Sequence, residues 1–291
     1  MCRYTGGTPA EAAQVHPYNT DFYDFLASFA IRSAAAIVPL LTGSMPIRSV
    51  ADFGCGEGAW LSVWRNAGAE VAGIDGPHVD RRRLMIEERQ FYAADLSRPV
   101  DLGRRFDVVQ SLEVAEHLPP GCASDFVATL TAHAPLVLFS AAVPGQGGEH
   151  HVNEQPLEYW RAKFRERGYA AIDCIRPRIA GDPRIQSWYR CNMLLYAPEA
   201  GLGDLPQPLR AYRVAQTQRL REYRPLADRL QHAAVRRLPR RAVDYLSQHR
   251  SRLAASRAAA SGAARRADEQ DADRDAKDAE PRDGRDRLVQ Q

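Results

Sequence analysis

Two groups of residues in this chain have the types and spacing to do chemistry. The first is the run D-F-G-C-G-E-G from Asp52 to Gly58. Gly54, Gly56 and Gly58 strip the side chains from a turn, and glycine tolerates positive φ and lets a ligand approach the backbone closely. A strand, a glycine turn and a helix together form the usual α/β cradle for a nucleotide-like ligand. Asp75 and Asp95 end the next two apolar segments, in G-I-D-G and A-A-D-L. One carboxylate lies beside the turn, a second is placed for ribose hydroxyls and a third for an adenine amino group. Such a rim suits a cationic nucleoside and suits a diphosphate poorly. Gly54, Gly56 and Ala59 also satisfy the dinucleotide pattern G-x-G-x-x-A, so the turn alone leaves a dinucleotide open.

The second group is Glu113, Glu116, His117, His150, His151 and Glu154. These follow the fourth and fifth predicted strands, where the crevice of an open α/β sheet lies. A histidine titrates near neutral pH and is the usual general base. His151 is the first candidate for that role, with Glu154 orienting it or contacting substrate, and Glu113 touching substrate or holding the cofactor loop. The competing roles are structural: His151 ordering its loop, Glu154 as the acid at a helix N-terminus, and His117 in packing.

The spacing of apolar residues supplies elements to position both groups. Strands are predicted at 47–53, 70–74, 90–94, 106–111, 136–140, 169–175 and 187–196, and helices at 21–41, 60–66, 126–133 and 156–168. Strands alternating with helices predict a doubly wound, mostly parallel seven-stranded α/β sheet over 19–198. Residues 1–18 read as a loose arm. The helix at 21–41 packs on the sheet edge or, with Tyr18 and Tyr23, covers the ligand. The aromatics Tyr159, Trp160, Trp188 and Tyr189 line an acceptor pocket or belong to the core. Residues 199–250 read as an Arg-rich helical extension broken by prolines. Residues 251–291 carry almost no large apolar side chains and are expected to be disordered.

Composition narrows the partners. The net charge of +3 does not imply nucleic acid by itself. Eleven arginines against four acids in 201–250 would suit an acidic surface, but a solvated helical face is the plainer reading, so nucleic acid is the less favoured partner. Five scattered cysteines without a C-x-x-C pair fit a reducing compartment. With neither a signal-like segment nor an apolar run of membrane-spanning length, a cytoplasmic protein without membrane contact is expected.

With D-F-G-C-G-E-G, G-I-D-G, A-A-D-L and F-D-V-V-Q-S-L-E-V-A-E-H-L together, the chain resembles the class I S-adenosylmethionine-dependent methyltransferases over about 49–196. The last run looks like their small-molecule, UbiG-like branch. The segments F-S-A-A-V-P-G-Q-G-G-E-H-H-V-N-E-Q and W-Y-R-C-N-M-L-L look like one bacterial group within it. The resemblance implies S-adenosylmethionine as cofactor, a Rossmann-like fold whose last strand runs antiparallel in a hairpin with the sixth, and a small-molecule methyl acceptor. Carried over by position, Asp52 and the turn Gly54, Cys55, Gly56 and Gly58 face the methionine moiety. Asp75, followed by Gly76, binds the ribose. Asp95 and Leu96 hold the adenine, and Gln110 to Glu113 border the sulfonium. Glu113, Glu116, His117 and a later histidine are similar to the metal set of small-RNA 2′-O-methyltransferases, but the downstream N-E-Q departs from that family and no metal is expected.

Overall fold

The computed structural model describes residues 20–239, 241–246 and 249. The arm, Tyr18, the side chain of Tyr23 and the tail at 251–291 lie outside the described residues. Seven strands form one sheet: β1 (Ser49–Phe53), β2 (Glu70–Asp75), β3 (Phe91–Ala93), β4 (Val108–Leu112), β5 (Leu136–Ser140), β6 (Tyr169–Ile172) and β7 (Leu194–Pro198). Their order is β3-β2-β1-β4-β5-β7-β6. The pairings β1/β2, β1/β4, β2/β3 and β4/β5 are parallel, whereas β7 runs antiparallel to both β5 and β6. The order reverses between β1 and β4, and a ligand crevice opens at the carboxyl ends of such a pair. β4 and β5 are buried at every position, as strands covered on both faces must be.

Helices cover both faces. α1 (Thr20–Thr42) and α2 (Ala59–Asn66) close a core that includes Ile37, Leu41, Val50, Leu61, Trp64 and Val108. α3 (Ala123–His133) and α4 (Leu157–Glu166) close the opposite core, built on Phe53, Val109, Phe126, Phe139, Trp160 and Phe164. Trp160 and Phe164 fall at i,i+4 and reach the sheet from one helical stripe.

The strand predicted at 187–196 is corrected. Its first part is a helix, α6 (Ser187–Asn192), preceded by α5 (Arg176–Ile179), and only then does β7 begin. Trp188, Tyr189 and Cys191 have strand-like propensity, but Tyr189, Cys191 and Asn192 are buried from a helical turn. β6 also ends earlier than predicted, because Asp173 turns its carboxylate onto the buried Arg176, with Nε–Oδ1 and Nη2–Oδ2 both 2.8 Å.

The extension is less helical than its composition suggests. Its described helices are α7 (Gln207–Arg210), α8 (Leu226–Val235) and residues 241–246, after a 3-10 stretch at Glu199–Asp204. From Glu199 through α8 the chain forms a strap. Leu202 and Leu209 enter the core, and Val214 N donates to Ala171 O at 2.9 Å. Arg161 of α4 donates to the carbonyls of Val214, Ala215 and Gln218. No helix among the described residues is long and apolar enough to cross a membrane.

Candidate functional site

The parallel register sets Asp52 of β1 beside Gln110 of β4. Both are buried, and Gln110 Nε2 donates to Asp52 Oδ2 at 2.7 Å. Trp64 of α2 donates its indole N–H to Gln110 Oε1 at 2.7 Å, which orients the amide. Asp52 Oδ1 is left buried without a partner. Burial first, then the nearby Asp75 charge, push the Asp52 carboxyl up to about 7 against the opposing hydrogen bond from Gln110. A buried carboxyl with one uncommitted oxygen is suited to meeting a cationic group.

The turn beside it takes positive φ at Gly54, Gly56 and Gly58, at 95°, 53° and 85°. A Cβ on Gly54 would lie 2.2 Å from Val114 Cγ2, whereas one on Gly56 would meet nothing within 4 Å. Gly54 is therefore required by packing, and Gly56 leaves open space for a ligand. Asp75 ends β2 with Oδ2 accepting from Gly56 N at 2.7 Å and Oδ1 accepting from Gly76 N at 2.6 Å. Asp75 thus holds the turn with both carboxylate oxygens.

The remaining predicted cofactor residues diverge. Cys55 is buried, its thiol on Gly56 O at 3.3 Å, and burial pushes it far above the ordinary thiol range. Leu96 is buried in the second core. Asp95 is exposed, caps Ser97 at 3.0 Å and pairs with Arg98. Gln110 serves as the link between Trp64 and Asp52. The aromatics split between the two cores: Trp160 packs on Phe139, while Tyr189 accepts from Trp60 Nε1 at 3.3 Å. Trp160 is only 1% exposed. Core packing therefore accounts for Trp160 and Tyr189.

The second group of candidate residues is brought together by backbone bonds. Glu113 sits at φ 58°, an uncommon conformation for a non-glycine residue, and a 3-10 turn follows at Ala115–His117. The loop after β5 folds back on that turn: Val152 N and Asn153 N donate to Glu116 O at 2.8 and 2.9 Å. This places the His151 ring against His117, with centroids 4.9 Å apart. His151 Nδ1 meets Glu154 Oε1 at 3.0 Å, and Glu154 also accepts from Gly145 N and Gly147 N. Glu154 thereby ties the His151 ring to the backbone of its own loop.

The candidate residues read from the sequence include Glu116 but neither Gln146 nor Asn192. Gln146 Nε2 donates to Glu113 Oε2 at 2.6 Å, and Asn192 Nδ2 donates to Gln146 Oε1 at 2.9 Å. Glu116 is 1% exposed and neither carboxyl oxygen has a partner. Burial, then repulsion from Glu113, raise Glu116 well above the carboxylate range; burial also raises Glu113. Burial and the His151 and His150 rings press His117 down to about 4. Glu116, His117 and His151 each offer a ligand atom within 4.8 Å of the others, so this cluster, rather than a set including Glu113, could hold a metal ion.

A family model described as a methyltransferase domain matches residues 14–172, more than half of the chain. The chain belongs to the methyltransferase domain family. Among curated relatives, it is 35% identical over 78 residues to a ubiquinone biosynthesis O-methyltransferase of Azorhizobium caulinodans, covering 24% of this chain and 30% of that protein. It is 30% identical over 115 residues to the enzyme of the same name from Rhodopseudomonas palustris, covering 36% of this chain and 44% of that protein. The chain thus spans less than half the length of either relative. A solved sugar N-methyltransferase from a Streptoalloteichus species aligns at 16% identity over 68% of this chain and all but 1% of its own, with a TM-score of 0.49. Glu113, Glu116, His117, Gln146, His151 and Glu154 fall inside the family match, and Asn192 lies beyond it.

Proposed function

We propose that this methyltransferase-family chain transfers a methyl group from S-adenosylmethionine to a small-molecule acceptor. The observation that carries the reading is Asp52: buried, with Oδ1 unpartnered, beside an open glycine turn held by Asp75. A cationic amino-acid moiety supplies the missing partner, and a diphosphate would repel both carboxylates. Asp75 then takes the ribose hydroxyls. The cofactor brings its own leaving group, so the protein chiefly holds acceptor, methyl carbon and sulfur in line. Methyl transfer to an oxygen or nitrogen releases a proton, which His151 accepts at Nε2 while Glu154 holds Nδ1.

Small acceptors are favoured over nucleic acid because several arginines of the extension are engaged within the chain. Arg210 donates to Gly203 O, Arg213 pairs with Glu199, and Arg224 pairs with Glu222 and Asn192. The test is calorimetric titration with S-adenosylhomocysteine, followed by a metabolite screen using labelled cofactor. Saturable binding displaced by S-adenosylmethionine and not by NADH is expected; competition by NADH alone would refute the reading.

The Glu116 carboxyl favours a second way of activating the acceptor. With His117 and His151 it forms a two-imidazole, one-carboxylate set, a donor combination that suits zinc-type divalent ions and leaves a position for an acceptor oxygen. Titrating the tag-free, chelator-treated chain with cobalt separates the two: a tetrahedral visible band lost in His151→Asn supports the ion, and its absence leaves His151 as the base.

A further inference from the structure

Glu113 is joined to the C-terminal strap by a line of side chains that crosses the acceptor side of the sheet. Arg224 Nη2 donates to Asn192 Oδ1 at 3.0 Å, Asn192 Nδ2 to Gln146 Oε1 at 2.9 Å, and Gln146 Nε2 to Glu113 Oε2 at 2.6 Å. The direction of this line follows from its far end. A guanidinium has only donors, so Asn192 must turn its carbonyl to Arg224 and its amide nitrogen to Gln146. Gln146 must then present its own carbonyl to Asn192 and its nitrogen to Glu113. The carboxyl at the end can only accept at Oε2. Its other oxygen, Oε1, is buried without a hydrogen-bond partner, with the Ser140 hydroxyl near enough to favour the charged carboxylate.

The strap is fitted to the same place by shape. A Cβ on Gly145 would lie 2.2 Å from the carbonyl oxygen of His232 in α8, so the helix sits directly on the loop that carries Gln146 and His151. Arg161 secures the strap upstream through three backbone carbonyls. Arg224 lies beyond the segment matched by the family model. This part of the molecule packs against the loop that follows β5.

We propose that Arg224 is a positioning residue for Glu113, acting through Asn192 and Gln146. The C-terminal strap thereby decides which oxygen of that carboxyl faces the acceptor. The relay occupies Oε2 and leaves Oε1 as the atom that bonds an acceptor hydroxyl or amine, as donor when the carboxyl carries a proton there and as acceptor when it does not. The ligand class is accordingly a small polar acceptor bound by one directed hydrogen bond. This inference rests on the methyltransferase reading for the identity of the acceptor, but not for the relay itself.

The test reads the carboxyl directly. The full chain labelled with carboxyl-carbon-13 glutamate is compared by NMR at one fixed pH, with the Glu113 signal assigned by its loss in Glu113→Gln. Gln146→Leu, which removes the direct bond, sets the reference shift. Asn192→Asp still accepts from Arg224 but cannot donate to Gln146, and Arg224→Met removes the source. Both are expected to move the Glu113 signal in the direction of Gln146→Leu, and Arg224→Lys is expected to restore it, because an ammonium also only donates. A Glu113 signal unchanged in Arg224→Met and Asn192→Asp while Gln146→Leu moves it would overturn the relay. If Asn192→Asp does not fold, the Arg224→Met and Arg224→Lys pair decides. Titration of the same samples with S-adenosylhomocysteine keeps the two readings apart: wild-type chain that fails to bind refutes the cofactor assignment, whatever the Glu113 signal does.

Discussion

Asp52→Asn tests the central physical claim about the cofactor site. The Asp52 carboxyl is raised from 3.8 to about 7. A tenfold change in acidity corresponds to ~1.4 kcal/mol between the two protonation states, so ionising Asp52 in the folded chain costs about 4 kcal/mol relative to the unfolded chain. The folded state keeps its proton between those two values and the unfolded state does not. Wild-type stability therefore falls as pH rises through that window, and the full loss is present above about 7. Asparagine is nearly isosteric, can still accept from Gln110 Nε2, and does not titrate. Denaturant unfolding of both proteins should show little difference near pH 4 and a variant more stable by up to ~4 kcal/mol near pH 8. Using the difference between the two proteins cancels the other buried acids, Glu113 and Glu116. Cofactor binding should move oppositely: wild-type affinity rises roughly tenfold for each step of one in pH toward 7, because a cationic ligand needs the carboxylate, while the variant binds weakly and without that slope. A stability gap independent of pH, or equal affinity for S-adenosylhomocysteine in both proteins, would refute the reasoning.

Other substitutions separate packing from function. Gly54→Ala should cost about 3 kcal/mol, because the new Cβ strikes Val114 at 2.2 Å and φ is 95°; Gly56→Ala should cost only about 1 kcal/mol yet weaken cofactor binding, and thermal melts with calorimetry would distinguish the pair. Asp173→Ala strips a fully buried Arg176 of its bidentate partner and should lose about 3–5 kcal/mol in urea unfolding. A loss under about 1 kcal/mol would mean that solvent or Cys191 O satisfies the guanidinium. Leu209→Ala should cost about 2–4 kcal/mol, since its side chain is fully buried in the core between sheet and extension. An unchanged melt would show that the strap is not part of the folded domain.

Much of this fold was legible because its signals are local. The glycine turn is a run of adjacent residues, Asp75 follows the second apolar segment directly, and near-continuous apolar runs mark strands covered on both faces. The misreadings have the same origin. Trp188 and Tyr189 carry strand propensity within a helix, where Tyr189 is buried against Trp60. The extension reads as helices broken by prolines, whereas Arg161 and β6 hold part of it as irregular strap.

The sequence by itself determined where the glycine turn and the strand-end carboxylates fall, since turn chemistry and strand ends depend on neighbours within a few residues. Tertiary structure alone decided what each polar group does there. Asp52 and Gln110 are 58 positions apart and meet only through the β1/β4 register, and that contact leaves Asp52 Oδ1 free. Glu116 reads from the sequence as one of several candidate acids, and only the packed fold leaves both of its carboxyl oxygens buried without a hydrogen-bond partner. Gln146 and Asn192 are ordinary amides until Arg224 orients them toward Glu113. Hydrogen bonds and desolvation depend on distances between segments remote in sequence, and those distances exist only once the sheet and its strap have packed.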